Sequence, residues 1–125
     1  MVILDEEHPF IPSRPPGPDS RIDVVAFRLP DGYETPVHVH APAVGRRRLP
    51  VVYIHGIQSH PGWFYASAQL LAANGHMVVQ VTRRGSGQNT LDRGDAESPD
   101  QLLEDTRAAC RFALDRAGAD GLHLL

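Results

Sequence analysis

Lysine is absent from the 125 residues; all twelve cationic side chains are arginine. That excludes chemistry built on a lysine Schiff base, a carbamylated lysine or the lysine of a phosphate-binding P-loop. Cysteine occurs once, as Cys110, so no internal disulfide can form. The expected setting is a reducing, cytoplasmic one. No stretch approaches the roughly 18 consecutive apolar residues of a membrane span. Residues 1–20 carry Asp5, Glu6 and Glu7 where a signal peptide would need an apolar core. Neither sign of charge is in large excess, at a net −3. Nothing there favours nucleic acid or an anionic membrane as a partner. There is no internal repeat.

What is present is ordinary for a globular chain, with 42% hydrophobic and 22% charged residues. The length allows one domain at most. Residues 1–20 contain Pro9, Pro12, Pro15, Pro16 and Pro18, and proline removes the N–H that helices and central strands use. The expected division is a Pro-rich arm over 1–20 and an α/β unit over 21–125.

Residues 21–29 and 33–41 each alternate in polarity around a turn at Pro30-Asp31-Gly32. They read as an antiparallel hairpin with Tyr33, Thr35, Val37 and Val39 on one face. Val51-Val52-Tyr53-Ile54 is apolar without alternation and ends abruptly in His55-Gly56. Such a run reads as a strand buried on both faces of a parallel sheet. Residues 63–74 place Phe64, Ala68, Leu71 and Ala72 at helical spacing and stop at Asn74-Gly75. Residues 76–81 read as a second buried strand, and 82–97 as a long polar loop. Ser98-Pro99-Asp100-Gln101 is a helix start, with Ser98 as cap and Gln101 closing a capping box. Leu103, Thr106, Cys110, Leu114 and Ala117 are the expected buried face of that helix. Residues 122–125 read as a third buried strand. The order β-β-β-α-β-α-β implies right-handed parallel crossovers after the hairpin.

Two motifs stand out. One is Val52-Tyr53-Ile54-His55-Gly56-Ile57-Gln58-Ser59-His60; the other is Arg83-Arg84-Gly85-Ser86-Gly87-Gln88-Asn89. With the element order, they resemble the amino-terminal half of an α/β-hydrolase. The nearest group is the monoacylglycerol lipase, lysophospholipase and serine aminopeptidase-like hydrolases. The resemblance covers residues 21–125. It implies hydrolysis of a small-molecule ester or peptide amide by a Ser-His-Asp triad, with no cofactor. It also implies that the backbone N–H of Ile57 is an oxyanion-hole donor. The triad serine of that family sits in a G-x-S-x-G elbow after the next strand. None of the six serines has glycine both two before and two after it. The triad is therefore expected beyond Leu125, and the chain alone is expected to be inactive. The family's usual aspartate two residues before the arginine of Arg-Gly-x-Gly is Thr82 here.

Around these motifs, His55 reads as a buried imidazole that braces the oxyanion loop. Gly56, Gln58 and Ser59 are pocket or loop-bracing candidates, and Arg84 a brace more than a substrate contact. Two further readings remain open. His38 and His40 form a His-x-His pair on one strand face and could serve a metal-dependent hydrolase. An unpaired sheet edge could make the chain an interaction module that recruits a second chain.

Overall fold

The computed structural model describes residues 22–43, 47–56 and 59–125. The arm expected over 1–20 lies outside them. Five strands form one mixed sheet: β1 (Ile22–Arg28), β2 (Glu34–His40), β3 (Val51–Ile54), β4 (Val78–Val81) and β5 (His123–Leu124). Their spatial order is β1-β2-β4-β3-β5. β1 pairs antiparallel with β2, and β2 antiparallel with β4. β3 lies parallel to both β4 and β5. A 3-10 turn, Pro61–Phe64, leads into α1 (Tyr65–Ala73), and α2 (Pro99–Ala117) joins β4 to β5.

The pleat sorts the core into two layers because successive side chains point to opposite faces. Val37, Val39, Val52, Val79 and Val81 meet Ala109 and Ala113 of α2. Val51 and Val78 meet Ala68 and Ala72 of α1 on the other face. β4 is thus covered on both faces and paired on both edges, and all four of its residues are buried. The alternation in β2 has an unexpected second half. Thr35, Val37 and Val39 are buried toward α2, yet His38 and His40, which point the other way, are also fully buried. They pack edge-on against Tyr65 of α1.

Pro36 sits inside β2 without breaking it. Its carbonyl accepts from Thr82 N (3.1 Å). In an antiparallel strand a residue's N–H and C=O point the same way. The missing donor therefore faces the end of β4, away from the β1 ladder.

Three expectations need correction. The buried face of α2 is Ala108, Ala109 and Ala113, while Leu103 is 54% exposed. Small side chains let the helix approach the sheet closely, so the larger leucine is left outside the seam. Ser98 Oγ does accept from Gln101 N (3.2 Å), but Gln101 Oε1 accepts from Glu97 N (2.8 Å) in place of the cap's own N–H. Finally, β5 is an edge strand with exposed side chains. Nothing among the described residues covers its far side.

Truncation of Val52 should test the central layer. It is fully buried between β4 and β5, so Val52→Ala should lower unfolding free energy by about 2–3 kcal/mol in urea titration.

Candidate active site at the carboxyl ends of β3 and β4

β3 and β4 are parallel neighbours whose connections leave to opposite faces. From β3 the chain turns to α1, and from β4 it turns to α2. That divergence opens a crevice at the strands' carboxyl ends, where open α/β sheets bind ligands. His55-Gly56 follows β3 there, and Thr82-Arg83-Arg84 follows β4.

His55 spans the crevice. Its Nε2 accepts from the backbone N–H of Arg83 (2.9 Å), and its Nδ1 lies 2.8 Å from the Gly56 carbonyl. A backbone N–H can only donate, so Nε2 carries no proton and Nδ1–H donates to Gly56 O. The ring is therefore a neutral bolt between two loops. Burial pushes its pKa down to about 4. Gly56 is exposed beside it, whereas Ile57 and Gln58 lie outside the described residues. Ser59 is buried, and its Oγ has no hydrogen-bond partner among the described residues. A serine nucleophile needs a base in hydrogen-bond reach, and none of the described residues supplies one to Ser59.

Arg84 is engaged in ion pairs on the α2 side of the crevice. Its guanidinium forms a two-pronged pair with Asp105 of α2, Nε to Oδ2 at 2.7 Å and Nη2 to Oδ1 at 2.8 Å. Nη1 donates to Asp31 Oδ2 (2.8 Å) in the β1–β2 turn. The plane also lies over the Tyr33 ring, 4.8 Å from its centroid. Arg84 therefore ties hairpin, loop and helix together. The same fork holds the Asp31 carboxyl below the usual carboxylate range. The loop beyond it is tied in the same way. Tyr33 OH accepts from Gly85 N and donates to Leu91 O. Arg93 Nη1 reaches the carbonyls of Gly87 and Asn89. Gly85 is required at its position: its φ is +67°, and a Cβ would stand 2.2 Å from Asp92 O.

The α1 face of the sheet carries a polar cluster built around the His38 and His40 pair. Gln80 Nε2 donates to Pro61 O (3.2 Å), so its Oε1 faces His40 Nε2 at 2.6 Å. His40 must then hold its proton on Nε2. Tyr65 OH meets His38 Nδ1 at 2.9 Å. Among the described residues no carboxylate joins these rings, and burial lowers the pKa of both, His38 to about 4. The metal reading of His38 and His40 is not supported. No group of three His, Cys, Asp or Glu among the described residues could hold an ion. One nitrogen of each ring is already engaged by Tyr65 or Gln80.

A cavity of about 160 Å³ sits beside the crevice, lined in part by Ile54, Val81, Thr82, Arg83, Leu102 and Thr106. Asp105 and Gln80 escaped the sequence reading. The one available signal for Gln80 was an amide in the middle of a valine strand.

Two outcomes follow from this geometry. Arg84→Met would leave the Asp105 carboxylate, 15% exposed, without its cation. Urea denaturation should show a loss of about 3 kcal/mol, the half-exposed Asp31 contact adding little. The buried histidines set a pH dependence. The unfolded chain takes up protons near pH 6.5, and the native rings resist them until about pH 4. Stability should therefore fall as pH drops from 6.5 to 4 and be level above 7. A urea midpoint unchanged between pH 7 and 4.5 would contradict neutral buried rings.

No helix among the described residues is long and apolar enough to cross a membrane. Residues 45–125 match the family model described as serine aminopeptidase, S33. No curated relative matches. Among solved structures, the fold is similar to a hypothetical protein from Pseudomonas aeruginosa, with TM-score 0.70 and 18% identity over 99% of this chain and 40% of that one. It is similar to esterase Est22, with TM-score 0.64 and 23% identity over 88% of this chain and 35% of that one. It is also similar to a thermostable carboxyl esterase from Bacillus coagulans, with TM-score 0.64 and 16% identity over 82% and 34% of the two chains. The chain thus spans 34–40% of the length of these structures. Its mixed sheet is the amino-terminal part of an α/β-hydrolase fold, and the chain belongs to the S33 serine aminopeptidase family.

Proposed function

We propose that residues 1–125 are the amino-terminal part of a serine hydrolase acting on a small-molecule carboxylic ester or peptide amide. The nucleophile, acid and base come from sequence beyond Leu125, and this segment alone is inactive. Its contribution is the oxyanion loop, with the Ile57 N–H as donor.

The observation that carries this reading is the course of β5. Leu125 N donates to Val52 O (2.9 Å), and Leu125 O accepts from Ile54 N (2.9 Å). The chain direction at Leu125 therefore leads out beside His55-Gly56. A nucleophile elbow following β5 would stand next to the loop carrying the donor, as acyl transfer requires. The comparisons support a hydrolase of this fold; the ester or amide substrate and the cytoplasmic setting belong to the proposal.

A second reading is favoured by the free edge of β5, where Leu124 is 53% and Leu125 59% exposed. That edge could pair with a separate chain instead of with the same protein's later strands.

A fluorophosphonate probe separates the readings. Label on a chain extended beyond Leu125, with none on residues 1–125, is the expected result. Label on the short chain would refute the claim that it lacks a nucleophile. In the extended protein, Ile57→Pro removes one donor and should lower kcat about 10²–10³-fold with KM little changed.

A further inference from the structure

The loop from β3 to α1 is held at both ends by groups of β4 and its continuation. Its first anchor is His55, bonded to Arg83 N just beyond β4. Its second is Pro61, whose carbonyl accepts from Gln80 Nε2 inside β4. The Gln80 amide is oriented from its other end, because Oε1 accepts from His40 Nε2. The His40 ring is wedged edge-on against Tyr65, with centroids 5.0 Å apart. Gln80 and His40 are each 1% exposed. His60 Nδ1 adds a local cap by accepting from Gly62 N (3.1 Å).

Gln80 lies opposite His38 and Tyr53 in the sheet, and burying an amide is unfavourable unless both its functions are bonded. Both are bonded, and one bond goes to the loop that follows His55-Gly56.

We propose that Gln80 is a positioning residue for the hydrolytic reaction. Through Pro61 it fixes the carboxyl-side end of the β3–α1 loop, as His55 fixes the other end. On that reading, the two anchors bracket the segment that carries the Ile57 N–H. This inference rests on the hydrolase reading above. Gln80 touches no substrate; its effect runs through the loop backbone. Misplacing a catalytic donor by about 1 Å can cost up to 10²-fold in rate.

The test uses the full-length protein, a p-nitrophenyl acetate assay and amide hydrogen exchange over residues 55–62. Gln80→Met removes both bonds at similar volume. Gln80→Glu keeps an acceptor for His40 and has no ionised-state donor for Pro61. Both variants should lower kcat by about 10–100-fold with KM within twofold. Both should speed exchange in that segment by about tenfold, the scale of one lost hydrogen bond. Val79→Ala is the control: it weakens the same strand and leaves both anchors in place, so kcat should hold. Unchanged exchange in Gln80→Met, or kcat within twofold of wild type, overturns the proposal. So does an equal loss of kcat in Val79→Ala. A wild-type protein without esterase activity or probe labelling would refute the hydrolase reading. The exchange measurement would still decide whether Gln80 anchors the loop. If Gln80→Met does not fold, Gln80→Glu carries the same two readouts.

Discussion

Everything at the candidate site hangs from β4. The strand is paired with β2 on one edge and β3 on the other, with α2 on one face and α1 on the other. A strand so enclosed has no water to satisfy its polar groups, so each must be met by protein. Three of its four residues are valine and raise no such demand. Gln80 is the exception, and its amide is met by His40 on one side and Pro61 on the other. The central strand thereby reaches out of the sheet and grips a loop. Directly beyond it, Thr82 N bonds Pro36 O and Arg83 N bonds His55 Nε2. One rigid element is the reference for the hairpin, for the β3–α1 loop and for the start of the Arg84 loop.

In the proposed hydrolase, rigidity of this kind is what an oxyanion donor would require. A backbone donor helps only if it is already aimed when charge develops. The two sides of the crevice are held by different chemistry. On the β4 side, Arg84 uses charge: a fork to Asp105, a further bond to Asp31 and a stacked tyrosine. On the β3 side, His55, His40 and Gln80 use neutral hydrogen bonds. The separation has a reason. Arginine beside its carboxylates keeps its charge at any ordinary pH. Among the described residues the histidine cluster has no carboxylate partner, and it stays neutral because burial disfavours the charged form. A neutral His55 can accept from Arg83 N; an imidazolium could not.

The strands were legible because burial on both faces leaves a run of apolar residues, as in Val51–Ile54. The helix start at Ser98 was legible because capping is local. The face of α2 was not: its seam is made of Ala109 and Ala113, and alanine signals no side until the sheet it meets is known. His38 and His40 were rightly placed on one face of β2. Their partners Tyr65 and Gln80 lie 27 and 40 residues away in sequence. Nothing local could separate a buried hydrogen-bonded pair from two metal ligands. The Arg84 network spans 53 residues to Asp31 and 21 to Asp105, so the brace was nameable only as a role, without partners.

The contrast between the two ends of the sheet bears on how the segment fits a larger fold. β1 closes one end with its outer side chains partly in water, and its turn is pinned by Asp31 to Arg84. β5 closes the other with only two strand residues, both exposed. Yet β5 keeps its register on β3 through Leu125, with a bond on each side of that residue. A frayed edge would not hold its last residue so. Both bonds run to β3, so the register of β5 is set by backbone pairing with that strand and owes nothing to burial of its own side chains.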